Sequence, residues 1–334
     1  MITIVMYHYV RDLPRTRYPL IKGLLPANFV GQLAYIYRHY TVCGTRQLIA
    51  ALQGKEPLPP NPCLLTFDDG FIDHYLTVFP LLRERGMVAS FYPAGMTIAE
   101  HRVLDVHKVH FILASVRDFG TLVAAIRELL RQYRARVDLP SDETLFASYA
   151  KPGRYDGPEV MFVKGVLQRG LPTKVRSEMI DTLFRRFVTE HEEAFARELY
   201  MDLPQLRCML RNGMEIGGHG YSHSWLEHLP KNEQEEEVGR TRDFLATIFE
   251  NTPVDWVMCY PYGSYNEETI SALRESGCVL GLTTRVGLIH DLSRPFELMR
   301  LDANDLPFDG HAEPCSWTVQ AKQGSYAFTP HSRS

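Results

Sequence analysis

The sequence predicts an α/β protein built from parallel strands and helices, with a helical segment inserted between its two halves. From residue 1 to about residue 95, short apolar runs alternate with stretches of helical periodicity. The alternation resumes from about residue 214 to residue 301, whereas residues 97–203 carry helical periodicity without a clear strand. Since parallel strands need long crossover connections, which helices usually supply, each half is expected to contribute parallel strands covered by helices.

The individual elements follow from the change between the two patterns. Runs rich in β-branched, aromatic and other apolar residues predict strands, and apolar residues spaced three or four apart predict helices. The predicted strands are residues 2–7, 40–43, 63–67, 87–92, 214–218, 254–260, 278–283 and 296–301. The predicted helices of the two halves are residues 28–38, 45–52, 71–85, 233–249 and 267–275.

The inserted segment is predicted to be helical over residues 121–136, 160–168 and 176–201, with an irregular connection at 138–158, where Pro, Gly, Asp and Ser cluster. Residues 1–96 and 204–310 are predicted to form the two parts of one barrel. Residues 97–203 are predicted to be a helical insertion that covers the barrel mouth, and residues 311–334 a polar, loose C-terminal tail.

Composition and charge argue against several functional classes. The formal net charge is −4 and the basic residues are scattered, so we expect no nucleic-acid partner. No run approaches the ~18 apolar residues that a membrane-spanning helix needs. The first residues resemble a strand rather than a basic leader, which predicts a cytoplasmic protein. The six cysteines form no C-x-x-C pair and indicate neither a zinc ribbon nor a dense disulfide framework.

Two adjacent carboxylates, Asp68 and Asp69, follow the apolar run of residues 63–67 and precede Gly70. Side chains alternate along a strand, so the two carboxylates should diverge and have different roles. One can bind a metal while the other takes a proton. The alternative is that Asp-Asp-Gly is only a turn, with an aspartate that caps the next helix.

A pair of histidines, His219 and His223, follows the apolar, glycine-rich residues 214–218. Their spacing can direct both imidazoles at one point, and like Asp69 they come directly after a predicted strand. Two imidazoles and one carboxylate leave a position open on a catalytic zinc ion. We therefore predict Asp69, His219 and His223 as ligands. Such an ion lowers the pKa of water, and Asp68 is the predicted base that takes its proton.

A third motif, Cys259-Tyr-Pro-Tyr-Gly263, also follows a predicted strand. Proline fixes φ and glycine permits a close backbone approach, so this loop can direct a main-chain N–H at a developing oxyanion. Taken alone, the loop would be interpreted as a turn.

The three motifs, in this order and spacing, resemble the polysaccharide deacetylases of carbohydrate esterase family four. The Tyr-Pro-Tyr-Gly form is closer to the poly-N-acetylglucosamine deacetylase branch than to the chitin-deacetylase branch. The resemblance covers about residues 1–95 and 205–301. It implies an incomplete (β/α)7 barrel, Zn²⁺ or another divalent transition metal, and removal of an N-acyl group from an amino sugar. It also implies that the N–H of Tyr262 is the oxyanion donor.

The chain departs from the family pattern at two places. Many members carry an arginine that orients the base where this chain has Cys259, and Arg300 is a candidate replacement. The family's acid histidine usually lies in a Leu-x-His motif. His290 matches its letters but not its spacing, so we prefer His8, at the end of the first predicted strand, as the acid. A hydrogen-bonded histidine at a strand end is the alternative interpretation of His8.

The candidate substrate contacts are Pro261, Gly263, His107 and Arg300. His107 lies in a cluster of ionisable residues that either reaches the substrate or forms a solvated helical turn. A roof over the site would favour a small or terminal sugar over a long polymer. The predicted function is removal of an acetyl or formyl group from an amino sugar in surface-polysaccharide or nucleotide-sugar biosynthesis. The alternatives are an amidase acting on a non-sugar C–N bond and a non-catalytic glycan-binding module.

Overall fold

The structure is a computed structural model that describes residues 1–151 and 157–324 of the chain. It comprises two compact units. The sheet unit contains Met1–Asp12, Gly23–His101 and Arg197–Ser334, and the helical unit contains Leu13–Lys22 and Arg102–Ala196. Most of the helical unit falls within the insertion predicted at residues 97–203. The predicted domain boundaries, and the covering of the mouth by the insertion, stay predictions.

The strands of the sheet unit form parallel ladders. They are β1 (Thr3–Tyr7), β2 (Thr41–Val42), β3 (Pro62–Asp69), β4 (Ser90–Pro93), β5 (Glu215–Ile216), β6 (Trp256–Cys259), β7 (Cys278–Leu282) and β8 (Leu301–Asp302). One sheet has the order β5-β4-β3-β1-β8, with β2 beside β3, and β6 pairs separately with β7. The α/β class and the parallel sheet are therefore confirmed.

Single parallel bridges connect the two sheets. Gly218, just after β5, bridges Met258 in β6, and Leu282 in β7 bridges Leu298, shortly before β8. Apart from β2, each described strand is thus connected to its neighbours in the barrel by a ladder or by an isolated bridge. Where only single bridges connect neighbouring strands, the hydrogen bonding of the barrel is incomplete, in agreement with the predicted fold class.

Alternate residues of the strands enter two different apolar clusters. Val5 and Leu65 pack in a cluster with side chains of the surrounding helices. Ile4 and Leu64 pack in a second cluster, together with Leu298. This division follows from the period of two along a strand, and it explains why β3 is buried along its whole length.

Helices form most of the remaining regular structure of the described residues. They are α1 (Pro26–His39), α2 (Thr45–Leu52), α3 (Phe79–Glu84), α4 (Gly95–Ala99), α5 (Asp105–Ser115), α6 (Phe119–Arg134), α7 (Asp142–Tyr149), α8 (Pro158–Gln168), α9 (Thr173–Phe187), α10 (Glu192–Leu199), α11 (Leu203–Arg211), α12 (Lys231–Phe249), α13 (Glu267–Glu275) and α14 (Ser316–Gln323). Within the described residues, no helix has the length and apolar character that crossing a membrane requires.

Two predicted helices and one predicted irregular connection were wrong in part. The helix predicted at residues 71–85 contains a π-helical turn, His74–Val78, before α3. The helix predicted at 176–201 is divided into α9 and α10, because the hydroxyl of Thr189 accepts from the N–H of His191 and competes with the helical bonds. The connection predicted at 138–158 contains α7, whose first turn is capped by Ser141.

The predictions at the two ends of the second half also need correction. The last strand, predicted at 296–301, forms a single bridge at Leu298 and a ladder only over β8. The C-terminal tail predicted at 311–334 contains α14, which is anchored in the sheet unit by the buried hydroxyl contact between Thr318 and Tyr35. Residues 152–156 and 325–334, which include parts of the predicted connection and tail, lie outside the described residues.

Candidate active site

Asp68 and Asp69 end β3, and their carboxylates have different partners. Asp68 lies on the same side of the strand as Leu64, which packs in the second apolar cluster. Asp69 has a φ of 74°, in the left-handed region that residues other than glycine rarely adopt. Both aspartates nevertheless belong to β3 and pair with β4, so the alternative of a simple turn after the strand does not describe this segment.

The side chains of Asp69, His219 and His223 come together in the sheet unit. Oδ1 of Asp69 lies 3.3 Å from Nε2 of His219 and 3.4 Å from Nε2 of His223. Nδ1 of His219 lies 2.8 Å from the backbone oxygen of Cys259. Because a carbonyl oxygen only accepts, Nδ1 carries a proton, which leaves Nε2 as the ring nitrogen that could bind a metal.

This arrangement fits a divalent transition metal. One atom from each of Asp69, His219 and His223 lies within 4.8 Å of the other two, and all three residues are buried. Burial lowers the pKa of His219, whereas the nearby Cys259, Asp69 and Asp68 raise it, and the net pKa lies well above the usual value. The surroundings of His219 thus favour positive charge, and two nitrogens with one oxygen are the donors of many catalytic zinc sites.

A second group of potential ligands, Asp68, His219 and Cys259, lies beside the first. It is less suited to a metal for two reasons. Both carboxylate oxygens of Asp68 accept hydrogen bonds from Arg300. Burial also raises the pKa of the Cys259 thiol, although Arg300 and His219 act in the opposite direction, so the thiolate that would bind a metal is disfavoured.

Arg300 occupies a central position next to Asp68. Its Nη1 and Nη2 donate to the two oxygens of Asp68 at 2.9 and 2.8 Å, and its Nε donates to the carbonyl of Thr283 at 2.8 Å. Burial raises the pKa of the Asp68 carboxyl, but Arg300 and His219 lower it further, and the net pKa is about 2. Arg300 is only 1% exposed, and its guanidinium donates to protein acceptors. Its predicted contact with substrate therefore stays a prediction.

His8 follows β1 and lies across from Asp68. The register of β1 and β3 pairs Met6 with Thr66, and two residues further along it brings His8 opposite Asp68. Nε2 of His8 lies 3.9 Å from Oδ2 of Asp68, beyond hydrogen-bond length, and 42% of the His8 side chain is exposed. His8 is therefore an accessible group beside the buried carboxylate.

His290, the other candidate acid, lies at the opposite end of β1. Its neighbour Ile289 forms an antiparallel bridge with Ile2, which precedes β1, whereas His8 follows that strand. Ile2 and His8 flank β1 and are six residue steps apart along an extended chain, a span of roughly 20 Å. The structure thus brings His8, but not His290, to the carboxylates.

The loop after β6 forms a 3₁₀ turn, Pro261–Gly263, with Tyr262 at a φ of 58°. The ring of Tyr262 stacks on Trp225, with centroids 4.2 Å apart, and meets the ring of His223 edge-on at 4.6 Å. Gly263 has a φ of 70°, and a Cβ there would lie 2.1 Å from the hydroxyl oxygen of Thr284. The loop therefore requires glycine at this position, and it packs directly against a predicted metal ligand.

The remaining sequence candidate, His107, lies in α5 of the helical unit and is 1% exposed. The next residue, Lys108, is also buried and pairs with Asp181 and Glu192 at 2.5 and 2.8 Å. This part of α5 is not a solvated turn. Contact of His107 with substrate stays a prediction, as does that of Pro261 and Gly263.

Three supporting groups were not anticipated from the sequence. The backbone oxygen of Cys259 contacts His219. Buried His74 places Nε2 2.9 Å from the backbone oxygen of His8. Buried Glu237 accepts hydrogen bonds from Ser222. A backbone acceptor leaves no sequence signal, whereas a Glu on the apolar face of α12 and a His among aromatic residues could have been noticed.

Left-handed backbone conformations are concentrated at this site. Asp69, His223 and Tyr262 have φ values of 74°, 59° and 58°, and each belongs to a different motif. Such conformations cost about 1–3 kcal/mol each and persist where the surroundings enforce them, often at functional sites. The residues that the three motifs contribute are thus held in strained conformations at the carboxyl ends of parallel strands.

Fold and site together define an α/β barrel protein with two imidazoles and a carboxylate converging at one end of its sheet. Residues 182–281 match the polysaccharide deacetylase family model, a segment that includes the second and third motifs but not Asp68 and Asp69. The putative polysaccharide deacetylase YxkH of Bacillus subtilis is 30% identical over 83 residues, which is 25% of this chain and 29% of that protein. Residues 182–281 thus match the polysaccharide deacetylase family, in agreement with the resemblance that the three motifs predicted.

Solved structures support the same fold. The Streptococcus pyogenes deacetylase PplD in complex with acetate aligns with a TM-score of 0.55 at 17% identity, over 90% of this chain and 91% of that one. IcaB from Ammonifex degensii aligns with a TM-score of 0.54 at 17% identity, over 96% and 97%. A de-N-acetylase from Aggregatibacter actinomycetemcomitans aligns with a TM-score of 0.54 at 16% identity, over 96% and 99%. At these identities the likeness establishes the fold alone.

Proposed function

We propose that the protein is a metal-dependent carbohydrate N-deacetylase that removes an acetyl or formyl group from an amino sugar. The observation that carries this proposal is the convergence of Asp69 with Nε2 of His219 and of His223, next to a second carboxylate with its own arginine. Structural sites usually surround a metal with four protein ligands, whereas three leave room for a reacting group.

The chain's own residues would hold the metal and its surroundings. Asp69, His219 and His223 would bind Zn²⁺ or another divalent transition metal, which when bound supplies a Lewis acid and lowers the pKa of water. The carbonyl of Cys259 fixes the ring of His219 through Nδ1, and such outer contacts usually orient a ligating histidine.

Asp68 is the proposed base that takes a proton from the attacking water. Its pKa of about 2 keeps the carboxylate ionised across the neutral range but makes it a weak base, so the role depends on its position and on an attacking water of lowered pKa. Arg300 fixes the carboxylate through two parallel hydrogen bonds, a geometry that restricts rotation about the Cβ–Cγ bond. Arg300 is therefore proposed as a positioning residue rather than a substrate contact.

His8 is the proposed acid that gives a proton to the leaving amine. It lies opposite Asp68 in the strand register and remains accessible. The backbone N–H of Tyr262 is proposed to donate to the carbonyl oxygen of the substrate as it becomes negative. The left-handed conformation of Tyr262, beside His223, supports this role because it sets the direction of the peptide groups in the turn.

The substrate is proposed to be an amino sugar or glycan of surface-polysaccharide or nucleotide-sugar biosynthesis, and the Tyr-Pro-Tyr-Gly motif favours the poly-N-acetylglucosamine branch. A preference for a small or terminal sugar would be tested by comparing rates on long polymers and on monosaccharide conjugates. The cytoplasmic location stays a prediction. The filled ligand positions speak against a non-catalytic binding module, while an amidase on non-sugar substrates is the second candidate because it would use the same site.

A substrate panel tests the proposal. Zinc-loaded protein is assayed for acetate and formate release from N-acyl amino sugars and, in parallel, for hydrolysis of small cyclic amides. We expect release from amino sugars that is abolished by a chelator, restored by Zn²⁺, and lost in Asp69→Ala. Cleavage of the cyclic amides alone would support the amidase instead, and a folded protein that takes up no metal and releases no acid would contradict both.

A further inference from the structure

Glu237 connects helix α12 to the loop that carries both histidines. Its Oε1 accepts from the backbone N–H of Ser222 at 2.6 Å and from the Ser222 hydroxyl at 2.9 Å. Glu237 is 6% exposed. A carboxylate in so dry a position forms strong, directional bonds with its donors. Ser222 directly precedes His223, so Glu237 fixes the peptide from which that histidine extends.

The loop needs such support because its backbone is strained at two points. Gly220 and His223 have φ values of 69° and 59°, and a non-glycine residue in this region costs about 1–3 kcal/mol. A Cβ on Gly220 would lie 3.3 Å from Oε1 of Glu237, which shows how closely the carboxylate approaches the loop. The left-handed conformation of His223 therefore persists beside a buried acceptor that bonds the preceding residue.

The opposite side of the loop is held by backbone bonds. The N–H of Gly95 donates to the oxygen of Gly220 at 3.2 Å, and the N–H of Met96 donates to the oxygen of Tyr221 at 2.8 Å. These bonds use the carbonyl groups of the loop, whereas Glu237 takes the donors of Ser222. The contacts of Glu237 are made at the residue directly before His223, next to the hydroxyl contact between Ser222 and Ser224 at 2.8 Å.

We propose that Glu237 is a positioning residue that sets the direction of the His223 imidazole toward the metal and thereby raises the affinity of the site. The inference rests on the proposed function, because it assumes that His223 binds a metal. Glu237 acts only through Ser222 and the backbone, so its removal changes metal binding more than it changes the chemistry of the metal-saturated protein.

Direct measurement of zinc affinity tests this role. Zn²⁺ binding is measured by competition with a chromophoric chelator for wild type, Glu237→Ala and Glu237→Gln, and the absorption spectrum of the Co²⁺-loaded proteins reports the ligand geometry. Glu237→Ala is expected to bind Zn²⁺ about 10- to 100-fold more weakly, as for other outer contacts of ligating histidines. Glu237→Gln keeps an acceptor in the same place and is expected to recover at least half of that loss on a logarithmic scale.

The neighbouring Glu236 supplies a matched control. It lies on the same helix and is exposed, so Glu236→Gln makes the same change of charge without touching the loop and is expected to leave the affinity unchanged. Saturating Zn²⁺ is expected to restore most of the turnover of Glu237→Ala, because the variant loses affinity rather than a reacting group.

The outcomes separate the two proposals. A wild-type protein that binds no zinc contradicts the proposed function and this inference together. A wild type that binds zinc and a folded Glu237→Ala that binds it equally tightly overturn the role of Glu237 alone. If thermal melting shows that Glu237→Ala does not fold, Glu237→Asp decides, because it keeps the charge and withdraws the carboxylate from both donors of Ser222 by one methylene. Weaker zinc binding by this variant supports the role, and unchanged binding overturns it.

Discussion

Arg300 donates two hydrogen bonds to Asp68 although the two residues are 232 positions apart in the chain. They meet because β8 pairs with β1, which in turn pairs with β3. The position where related deacetylases often carry a base-orienting arginine holds Cys259 in this chain, on β6. The pairing with Arg300 thus supplies from β8 a contact that the motif after β6 lacks.

Removal of this arginine should impair the base. In Arg300→Met, burial of Asp68 is no longer opposed by the guanidinium, so the pKa of the carboxyl rises from about 2 and less of it is ionised at acidic pH. We expect the acid limb of the kcat/KM profile to move to higher pH and kcat to fall about 100-fold through misorientation. Measurement of kcat/KM against pH checks this result.

Arg300→Lys is the comparison variant, because it keeps the charge and loses the paired geometry. It should show a smaller shift of the acid limb but a clear loss of kcat. Thermal melts identify variants that remain folded, since breaking a buried pair costs about 3–5 kcal/mol. A folded Arg300→Met with a wild-type profile would rule out the positioning role.

The two candidate acids can be separated by substitution. His8→Ala is expected to lower kcat about 10²- to 10⁴-fold, the usual contribution of an acid or base, because His8 lies opposite Asp68. His290→Ala is expected to leave kcat unchanged, since His290 lies next to Ile2 at the other end of β1. Equal effects, or a larger effect at His290, would refute the assignment. Steady-state kinetics on the best substrate of the panel provide the measurement.

The two groups of potential ligands predict different effects on metal content. Cys259→Ala should bind Zn²⁺ about as tightly as the wild type, because the variant keeps the backbone oxygen that lies 2.8 Å from Nδ1 of His219. Asp69→Ala should bind it at least 10-fold more weakly, because a direct ligand is lost. Metal analysis after dialysis checks both. If Cys259→Ala lost its zinc and Asp69→Ala retained it, the neighbouring group would be the metal site.

His74 makes stability depend on pH. Burial lowers its pKa to about 4, so the unfolded chain takes up a proton below about pH 6.5 that the folded protein resists. The contribution of His74 is therefore complete above pH 6.5 and is lost as the pH falls toward 4, by up to about 1.4 kcal/mol per pH unit. Urea unfolding of the metal-free protein between pH 4 and 7 should give a shallower dependence for His74→Gln.

His74→Gln can retain a donor for the backbone oxygen of His8, so its stability at pH 7 should change less than its pH dependence. His290→Ala is the control, because it removes an exposed histidine next to Ile289, at the end of β1 away from His74. An unaltered slope in His74→Gln would show that other groups cause the loss of stability.

Much of the site could be predicted because its residues follow apolar runs. Asp68, Asp69, His219 and His223 interrupt such runs at points where parallel strands end, and a parallel sheet gathers these ends on one side. The same reasoning identified His8. Local pattern was sufficient here because each residue's place depends on the end of its own strand.

The supporting contacts could not be derived in the same way. Arg300 could be named as a candidate for orienting Asp68, but its pairing depends on the register between β8 and β1, which local sequence does not encode. The burial of Lys108 depends on acidic partners from α9 and α10, so its charge alone suggested a solvated turn. The break between α9 and α10 depends on one threonine hydroxyl that competes with helical bonds.

Diffraction from zinc-loaded crystals, with anomalous data on both sides of the zinc edge, tests the central claim most directly. We expect one strong anomalous peak about 2.0–2.2 Å from a carboxylate oxygen of Asp69 and from Nε2 of both His219 and His223. A zinc peak elsewhere, or no peak in crystals of folded protein grown with excess zinc, would contradict it.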